Sequence, residues 1–105
     1  MDRIEQLTNL LGEDPDNSFI LYALAKAYEN QDQLKEAALQ YEFLLLKDPD
    51  YLATYYHFGK LCEKLEDFDR AKTQYQMGIV KAQKFNDLHS LSELKSALME
   101  LELSL

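Results

Sequence analysis

The chain has 105 residues and a formal net charge of −8, with 47% hydrophobic and 29% charged residues. This length and composition predict one folded domain. The acidic balance argues against nucleic-acid binding, which normally needs a basic face, and against attraction to anionic membranes. One cysteine excludes an internal disulfide framework, and the two histidines complete no zinc-ligand spacing with it, so we expect no metal and no cofactor.

The N-terminal residues mix charge with apolar side chains, unlike a signal peptide, and no segment approaches the ~20 apolar residues of a membrane span. We therefore expect a cytoplasmic protein. Only three glycines and two prolines are present, while helix-forming residues dominate. Because tight β-turns consume glycine and proline, this composition favours an all-α fold.

Apolar residues spaced by three and four predict six helices along the chain. Asn17 or Ser18 is suited to cap the second helix, and Asp48-Pro49 is expected to end the third, because proline disfavours helical geometry in its predecessor. The predicted helices cover residues 2–12, Ser18–Asn30, Leu34–Lys47, Leu52–Lys64, Phe68 to about Phe85, and 88–103.

The central part of the sequence repeats itself, and the spacing from Pro15 to Pro49 recurs throughout it. Pairs related by this same shift are Pro15 and Pro49, Leu24 and Phe58, Ala25 and Gly59, Ala37 and Ala71, Tyr41 and Tyr75, Tyr22 and Tyr56, Lys26 and Lys60, and Glu29 and Glu63. Each unit of the repeat comprises two helices, in which small residues allow close helix approach and aromatic residues fill the remaining space.

These residues resemble the tetratricopeptide repeat pattern of bulky, leucine, small and aromatic positions followed by proline. The first copy offers Leu21, Leu24, Ala25, Tyr28, Ala37, Tyr41, Leu44 and Pro49, and the second offers Tyr55, Phe58, Gly59, Cys62, Ala71, Tyr75 and Gly78. The resemblance implies a right-handed α-solenoid of antiparallel helix pairs. Gln83 stands where the pattern has proline, so the fifth helix should run past the usual end.

On this interpretation, residues 1–105 form a single domain. A half repeat at 1–14 precedes the full repeats at 18–51 and 52–85, and a capping helix follows at 87–105. No catalytic constellation is present: Cys62 and His57 lie five residues apart on one helix, and we interpret Cys62 as a small core residue. We therefore expect no enzymatic activity.

The resemblance also implies that the first helix of each pair lines a concave groove that recognises a ligand. The predicted groove residues are Phe19, Tyr22, Lys26, Asn30, Tyr56, His57, Lys60 and Lys64. The tyrosines suit apolar anchoring, and the lysines would favour an acidic peptide. Alternatively, the tyrosines pack between adjacent first helices, and Glu29 and Glu63 neutralise the lysines at a spacing of three. The lysine and asparagine set that clamps chaperone tails in this family is not present in its usual form.

Leucines at 91, 94, 98, 101 and 105 predict a seam by which the last helix packs on the core. Leu88, Met99 and Leu103 fall on another side and are predicted oligomer contacts. The sequence thus predicts a non-catalytic interaction module that binds a peptide or helix of an unidentified protein partner in its groove. The alternative is a self-assembling structural protein, as a homodimer, that uses its apolar terminal helices.

Overall fold

The computed structural model describes residues 2–105, which form six α-helices and no strand. The helices are α1 (Arg3–Glu13), α2 (Ser18–Asn30), α3 (Leu34–Lys47), α4 (Ala53–Lys64), α5 (Phe68–Lys84) and α6 (Leu88–Ser104). The all-α prediction is confirmed, and each predicted helix end lies within a residue of the observed one. Within residues 2–105, every helix is too short or too polar to cross a membrane.

Side-chain caps define where four of the helices begin. Asp2, Asn17, Asp67 and Asp87 each accept a hydrogen bond from the backbone N–H three residues later, at 2.8–3.2 Å. These bonds satisfy amides that have no partner inside the helix. Of the two predicted caps for α2, Asn17 is the one used. The hydrogen bonds that Ser90 donates, through its backbone N–H and its hydroxyl, lower the pKa of Asp87.

The turns that follow α2, α4 and α5 share one backbone geometry. Asp32, Glu66 and Asn86 have φ values of 59°, 59° and 54°, in the left-handed region. In the first of these turns, the N–H of Gln33 donates to the carbonyl of Tyr28 at 2.9 Å, and the other two turns repeat this bond. The pattern is the Schellman motif, which closes a helix by pairing its last carbonyls.

The two second helices of the repeats differ in length. Helix α3 ends at Lys47, immediately before Asp48 and Pro49, whereas α5 continues through Gln83 to Lys84. A proline ring would block this continuation, because it lacks the N–H that the helix needs. The predicted extension of the fifth helix is therefore observed.

The described residues divide into two compact units, 2–51 and 52–105. In the first unit, α2 packs against both α1 and α3. Its buried apolar residues are Leu7, Leu21, Leu24, Ala25, Ala27, Ala37, Tyr41 and Leu44. The division falls at the predicted boundary between the two repeats, and the assignment of the whole chain to a single domain stays a prediction.

In the second unit, α5 packs against α4 and α6, and α4 also contacts α6. A side chain at Gly59 would meet the Tyr75 ring, and one at Gly78 would lie 2.6 Å from Tyr55 Cβ. The buried apolar residues are Tyr55, Phe58, Leu61, Cys62, Ala71, Tyr75, Ala82, Leu94, Ala97 and Leu101. Cys62 is thus a core residue, as predicted. The predicted seam is wrong at Leu105, which is 69% exposed because α6 ends one residue earlier.

Candidate functional site

Helix α2 presents an aromatic and polar face beside α1 in the first unit. Phe19 is 65% exposed near its start, while Tyr22 and Lys26 are partly exposed further along. A groove of about 260 Å³ is lined by Arg3, Phe19, Tyr22, Ala23, Lys26, Ala27 and Asn30. The structure therefore brings together the four predicted site residues of the first repeat, at 19, 22, 26 and 30.

Arg3 lines this groove but was absent from the predicted site. It belongs to α1, and only the packing of α1 against α2 brings it to the same groove as Lys26. The sequence did indicate that Arg3 is unusual. It lies one repeat before Ala37, so a positively charged residue occupies a position where the full repeats have a small one. The site therefore contains one more positive charge than the sequence suggested.

Tyr22 is oriented by a second aromatic residue of the same unit. Its ring centroid lies 5.9 Å from that of Tyr51, with the planes tilted by 47°. This arrangement is typical of stabilising aromatic pairs. Burial, and then the charge of Asp48, raises the pKa of Tyr51. Part of the Tyr22 ring therefore packs on Tyr51, which lies in the turn after α3, and part remains exposed in the groove. Packing of the tyrosines between adjacent first helices stays a prediction.

Lys26 is held by a carboxylate that also binds a buried tyrosine. Its Nζ lies 3.7 Å from Glu29 Oε2, and the Tyr41 hydroxyl donates to the same oxygen at 2.5 Å. The Glu29 side chain is only 7% exposed. Burial, and then the hydrogen bond to Glu29, raises the pKa of Tyr41 far above its usual value. We call this arrangement the Lys–Glu–Tyr network.

The same network occurs one repeat later, in the second unit. Lys60 Nζ lies 3.8 Å from Glu63 Oε2, to which the Tyr75 hydroxyl also donates. Burial, and then the hydrogen bond to Glu63, again raises the pKa of the tyrosine. The Glu63 side chain is more exposed, at 27%. In both units a glutamate therefore offsets the charge of the lysine, as the alternative interpretation predicted.

The four predicted site residues of the second repeat lie on α4. Tyr56 and His57 contact each other edge to face, with ring centroids 5.2 Å apart. Lys60 Nζ lies 5.7 Å from the Tyr56 ring centroid, close enough for a cation–π interaction. Lys64 is exposed at the end of the helix. Lys60 is thus held between an aromatic ring and a carboxylate.

Two other features bear on function. Across residues 2–105, no cluster of three or more histidine, cysteine or acidic side chains is arranged to hold a metal ion. The predicted oligomer contacts Leu88, Met99 and Leu103 are 68%, 59% and 81% exposed on α6. Their exposure leaves this surface of the second unit open to a partner.

Solved structures provide the comparisons with known proteins. The crystal structure of a tetratricopeptide repeat domain protein from Salinibacter ruber is 40% identical to this chain, with a TM-score of 0.78, and the match covers 82% of this chain and 97% of that one. The TPR2B domain of yeast Sti1, solved in complex with pHsp70, is 15% identical, with a TM-score of 0.89 and coverage of 97% and 82%.

The Sgt2 TPR domain from Aspergillus fumigatus is 25% identical, with a TM-score of 0.82, covering 96% of this chain and 64% of that one. No protein-family model matches the chain, and no curated protein does so either.

Proposed function

Because the chain belongs to the tetratricopeptide repeat family, we propose that it is a non-catalytic interaction module that binds a peptide or helix of a partner protein. The binding faces are those of the two helices that lead the repeats, α2 and α4. The observation that carries the proposal is the groove beside α2, in which exposed Phe19, partly exposed Tyr22 and polar Asn30 lie together.

Aromatic side chains provide most of the binding energy in this proposal. Phe19 is 65% exposed, and complete burial of such a side chain is worth roughly 1.5–3 kcal/mol. Tyr22 is already oriented by Tyr51, so it loses little freedom when a partner covers it. Tyr56 on α4 has the equivalent place in the second repeat. The aromatic positions therefore act as anchors for apolar side chains of the partner.

The charged residues have a secondary role. Lys26 and Lys60 are each paired with a glutamate, so neither presents a full positive charge to a partner. Together with His57 they supply polar contacts. Arg3 takes part in none of the ion pairs formed by residues 2–105, and its charge is available within the groove. The TPR2B domain of Sti1, bound to pHsp70, has the same fold and supports a role in protein recognition.

A comparative capture experiment tests this proposal. Tagged wild-type protein and the Phe19→Ala/Tyr22→Ala variant are used to capture proteins from the native cell, and captured proteins are quantified by mass spectrometry. The matched control, Leu39→Ala/Phe43→Ala, removes two exposed apolar side chains from α3 in the same unit. Circular dichroism establishes that all three proteins are folded.

We expect at least one protein to be captured about tenfold less by the α2 variant than by the wild type and the control, as loss of an anchor residue implies. Adding Tyr56→Ala should reduce its capture further. Equal capture of every protein by the α2 variant and the control would show that the α2 face is not the binding site.

A further inference from the structure

Helix α6 carries an exposed apolar stripe on the side away from the core. Its buried side consists of Leu94, Ala97 and Leu101, whereas Met99 and Leu103 are 59% and 81% exposed. A surface groove of about 370 Å³ follows this stripe, lined by Leu88, Leu91, Ser92, Lys95, Ser96 and Met99. Exposed apolar surface of this kind on a helix marks an interaction site.

Two opposite charges stand on either side of Met99 along the stripe. Lys95 lies four residues before Met99, and Glu102 lies three residues after it. Residues three and four apart share one side of a helix, so all three side chains lie on the same side of α6. Both charged residues are exposed, and neither takes part in the ion pairs formed within residues 2–105.

We propose that this face of α6 binds the same face of a second copy of the chain, antiparallel, with the two Met99 side chains meeting at a twofold axis. In an antiparallel pair, residues before Met99 in one copy lie opposite residues after Met99 in the other. Lys95 therefore faces Glu102 of the partner subunit, and symmetry repeats this pair. The surface is complementary to itself, as a twofold interface requires.

Small side chains on the opposite flank of the stripe favour the same alignment. Ser92 and Ser96 precede Met99 by seven and three residues, and both are exposed. They leave space for the side chain of Leu103 of the partner subunit. The apolar contact thus places Met99 at the centre and the two copies of Leu103 beside it.

Other alignments of two α6 helices are less favourable. Pairing Leu88 with Leu103 of the partner subunit moves the centre to the level of residue 95 and brings the two Lys95 ammonium groups together. Like charges in contact across an interface oppose association. The charges therefore select the alignment centred on Met99, in which Leu88 lies outside the contact.

The contact involves one face of one helix, so it is smaller than a standard stable interface. A dimer of this size is weak and reversible. Its charge pairs are exposed to solvent at the rim, so added salt should weaken it. These properties distinguish it from an obligate dimer that shares a core.

Sedimentation equilibrium on the whole chain, over a concentration series, tests the charge pairing. The variants are Lys95→Glu, Glu102→Lys and the double exchange Lys95→Glu/Glu102→Lys. We expect each single variant to raise the dimer dissociation constant about tenfold or more, because symmetry converts two attractive pairs into two repulsive ones. The double exchange should return it to within about threefold of the wild-type value.

Lys72→Glu is the matched control, since it reverses an exposed charge on α5 and should leave the dissociation constant unchanged. A wild-type protein that stays monomeric at millimolar concentration would overturn the proposal. So would a double variant as weak as the single variants. Weakening by Arg3→Glu equal to that by Lys95→Glu would indicate a contact between α6 and α1 instead, and would also overturn it.

Discussion

The first and second units build the same helix pair from different side chains. The first unit has Leu21 and Leu44 at the positions where the second unit has Tyr55 and Gly78. The side chains of Leu21, Leu44 and Tyr55 are all buried. Two leucines are thus replaced by one large residue and one with no side chain. The same helix pair therefore accepts different combinations of side chains at equivalent positions, and in the second unit Leu94 of α6 also lies against Gly78.

The polar arrangement, in contrast, is the same in both units. Each buries a tyrosine hydroxyl against a glutamate, which also binds a lysine. A buried hydroxyl and a buried carboxylate both need hydrogen-bond partners, and few substitutions replace both at once. The two units therefore differ in the side chains that fill the space between their helices and share this hydrogen bond.

Exchanging the core residues of the second unit should produce the largest effect. Gly78→Leu introduces the residue of the first unit next to Tyr55 and Leu94, where a Cβ alone would already lie 2.6 Å and 2.9 Å from their atoms. We expect the free energy of unfolding, measured by urea titration, to fall by about 3 kcal/mol. Adding Tyr55→Leu, which recreates the leucine pair of the first unit, should recover at least a third of this loss.

Gly12→Ala in α1 of the first unit, where an added Cβ meets no atom within 4 Å, is the control for helix propensity alone and should raise the free energy of unfolding by about 1 kcal/mol. If Tyr55→Leu makes the Gly78→Leu protein still less stable, volume is not shared between these two positions. The difference between the two units would then have to arise from different positions of the helix backbones.

Removing the tyrosine hydroxyls should affect the first unit more than the second. In Tyr41→Phe, Glu29 loses its donor while only 7% exposed, whereas in Tyr75→Phe the carboxylate of Glu63 is 27% exposed and can be hydrated. We expect losses of about 2 and about 1 kcal/mol in the free energy of unfolding at neutral pH.

The double variant Tyr41→Phe/Glu29→Gln separates the hydrogen bond from the packing of the ring. It removes the charge that has lost the tyrosine donor, together with a Lys26 ion pair that is partly exposed and worth little, so it should be about as stable as Tyr41→Phe. Equal losses from Tyr41→Phe and Tyr75→Phe would contradict the link between exposure of the glutamate and the cost of removing its hydrogen-bond donor.

The raised pKa values of Tyr41 and Tyr75 predict a loss of stability in alkali. Below the usual tyrosine pKa of about 10, folded and unfolded chains both keep these protons. Above it, only the unfolded chain releases them, so stability falls as the pH rises. At half a pH unit above that pKa, each tyrosine should lower the free energy of unfolding by about 0.8 kcal/mol.

Urea titrations at neutral and alkaline pH, run in parallel on the wild type and on each phenylalanine variant, isolate this contribution from that of the lysines. The free energy of unfolding should fall less with rising pH in each phenylalanine variant than in the wild type, by the loss assigned above to one tyrosine. Parallel curves for the wild type and the variants would mean that the hydroxyls ionise in the folded chain as they do in water.

The smallest effect concerns the turns that end α2 and α4. Asp32 and Glu66 both have a φ of 59°, a geometry that costs glutamate more than aspartate. Glu66→Gly should therefore raise the free energy of unfolding, measured by thermal denaturation, by about 0.5 kcal/mol, and Asp32→Gly should change it by less. A destabilising Glu66→Gly would show that the Glu66 side chain makes a contact worth more than the backbone strain.

The sequence predicted the helices well because the signals for them are local. Spacing of apolar residues, Asn17 as a cap and Pro49 as a stop each act within a few residues of the helix ends they define. The repeat period then placed equivalent residues in both units. Even the length of α5 followed from one absent proline, at Gln83.

The site was less predictable because it depends on contacts between helices. The Tyr41 hydroxyl reaches Glu29 twelve residues away, and Arg3 enters the groove only because α1 packs on α2. No local pattern reports such contacts. The spacing of three between Lys26 and Glu29 did predict an ion pair as the alternative to a free lysine. This ion pair leaves Lys26 less available for binding a partner.

Photo-crosslinking from a benzoyl-phenylalanine in place of single phenylalanines tests the proposed binding face most directly. Phe19 on α2 and Phe43 on α3 belong to the same unit, and both are exposed, at 65% and 42%. We predict that irradiation in the native cell links a partner protein to position 19 and not to position 43. Crosslinking of that partner from position 43, with none from position 19, would contradict the account.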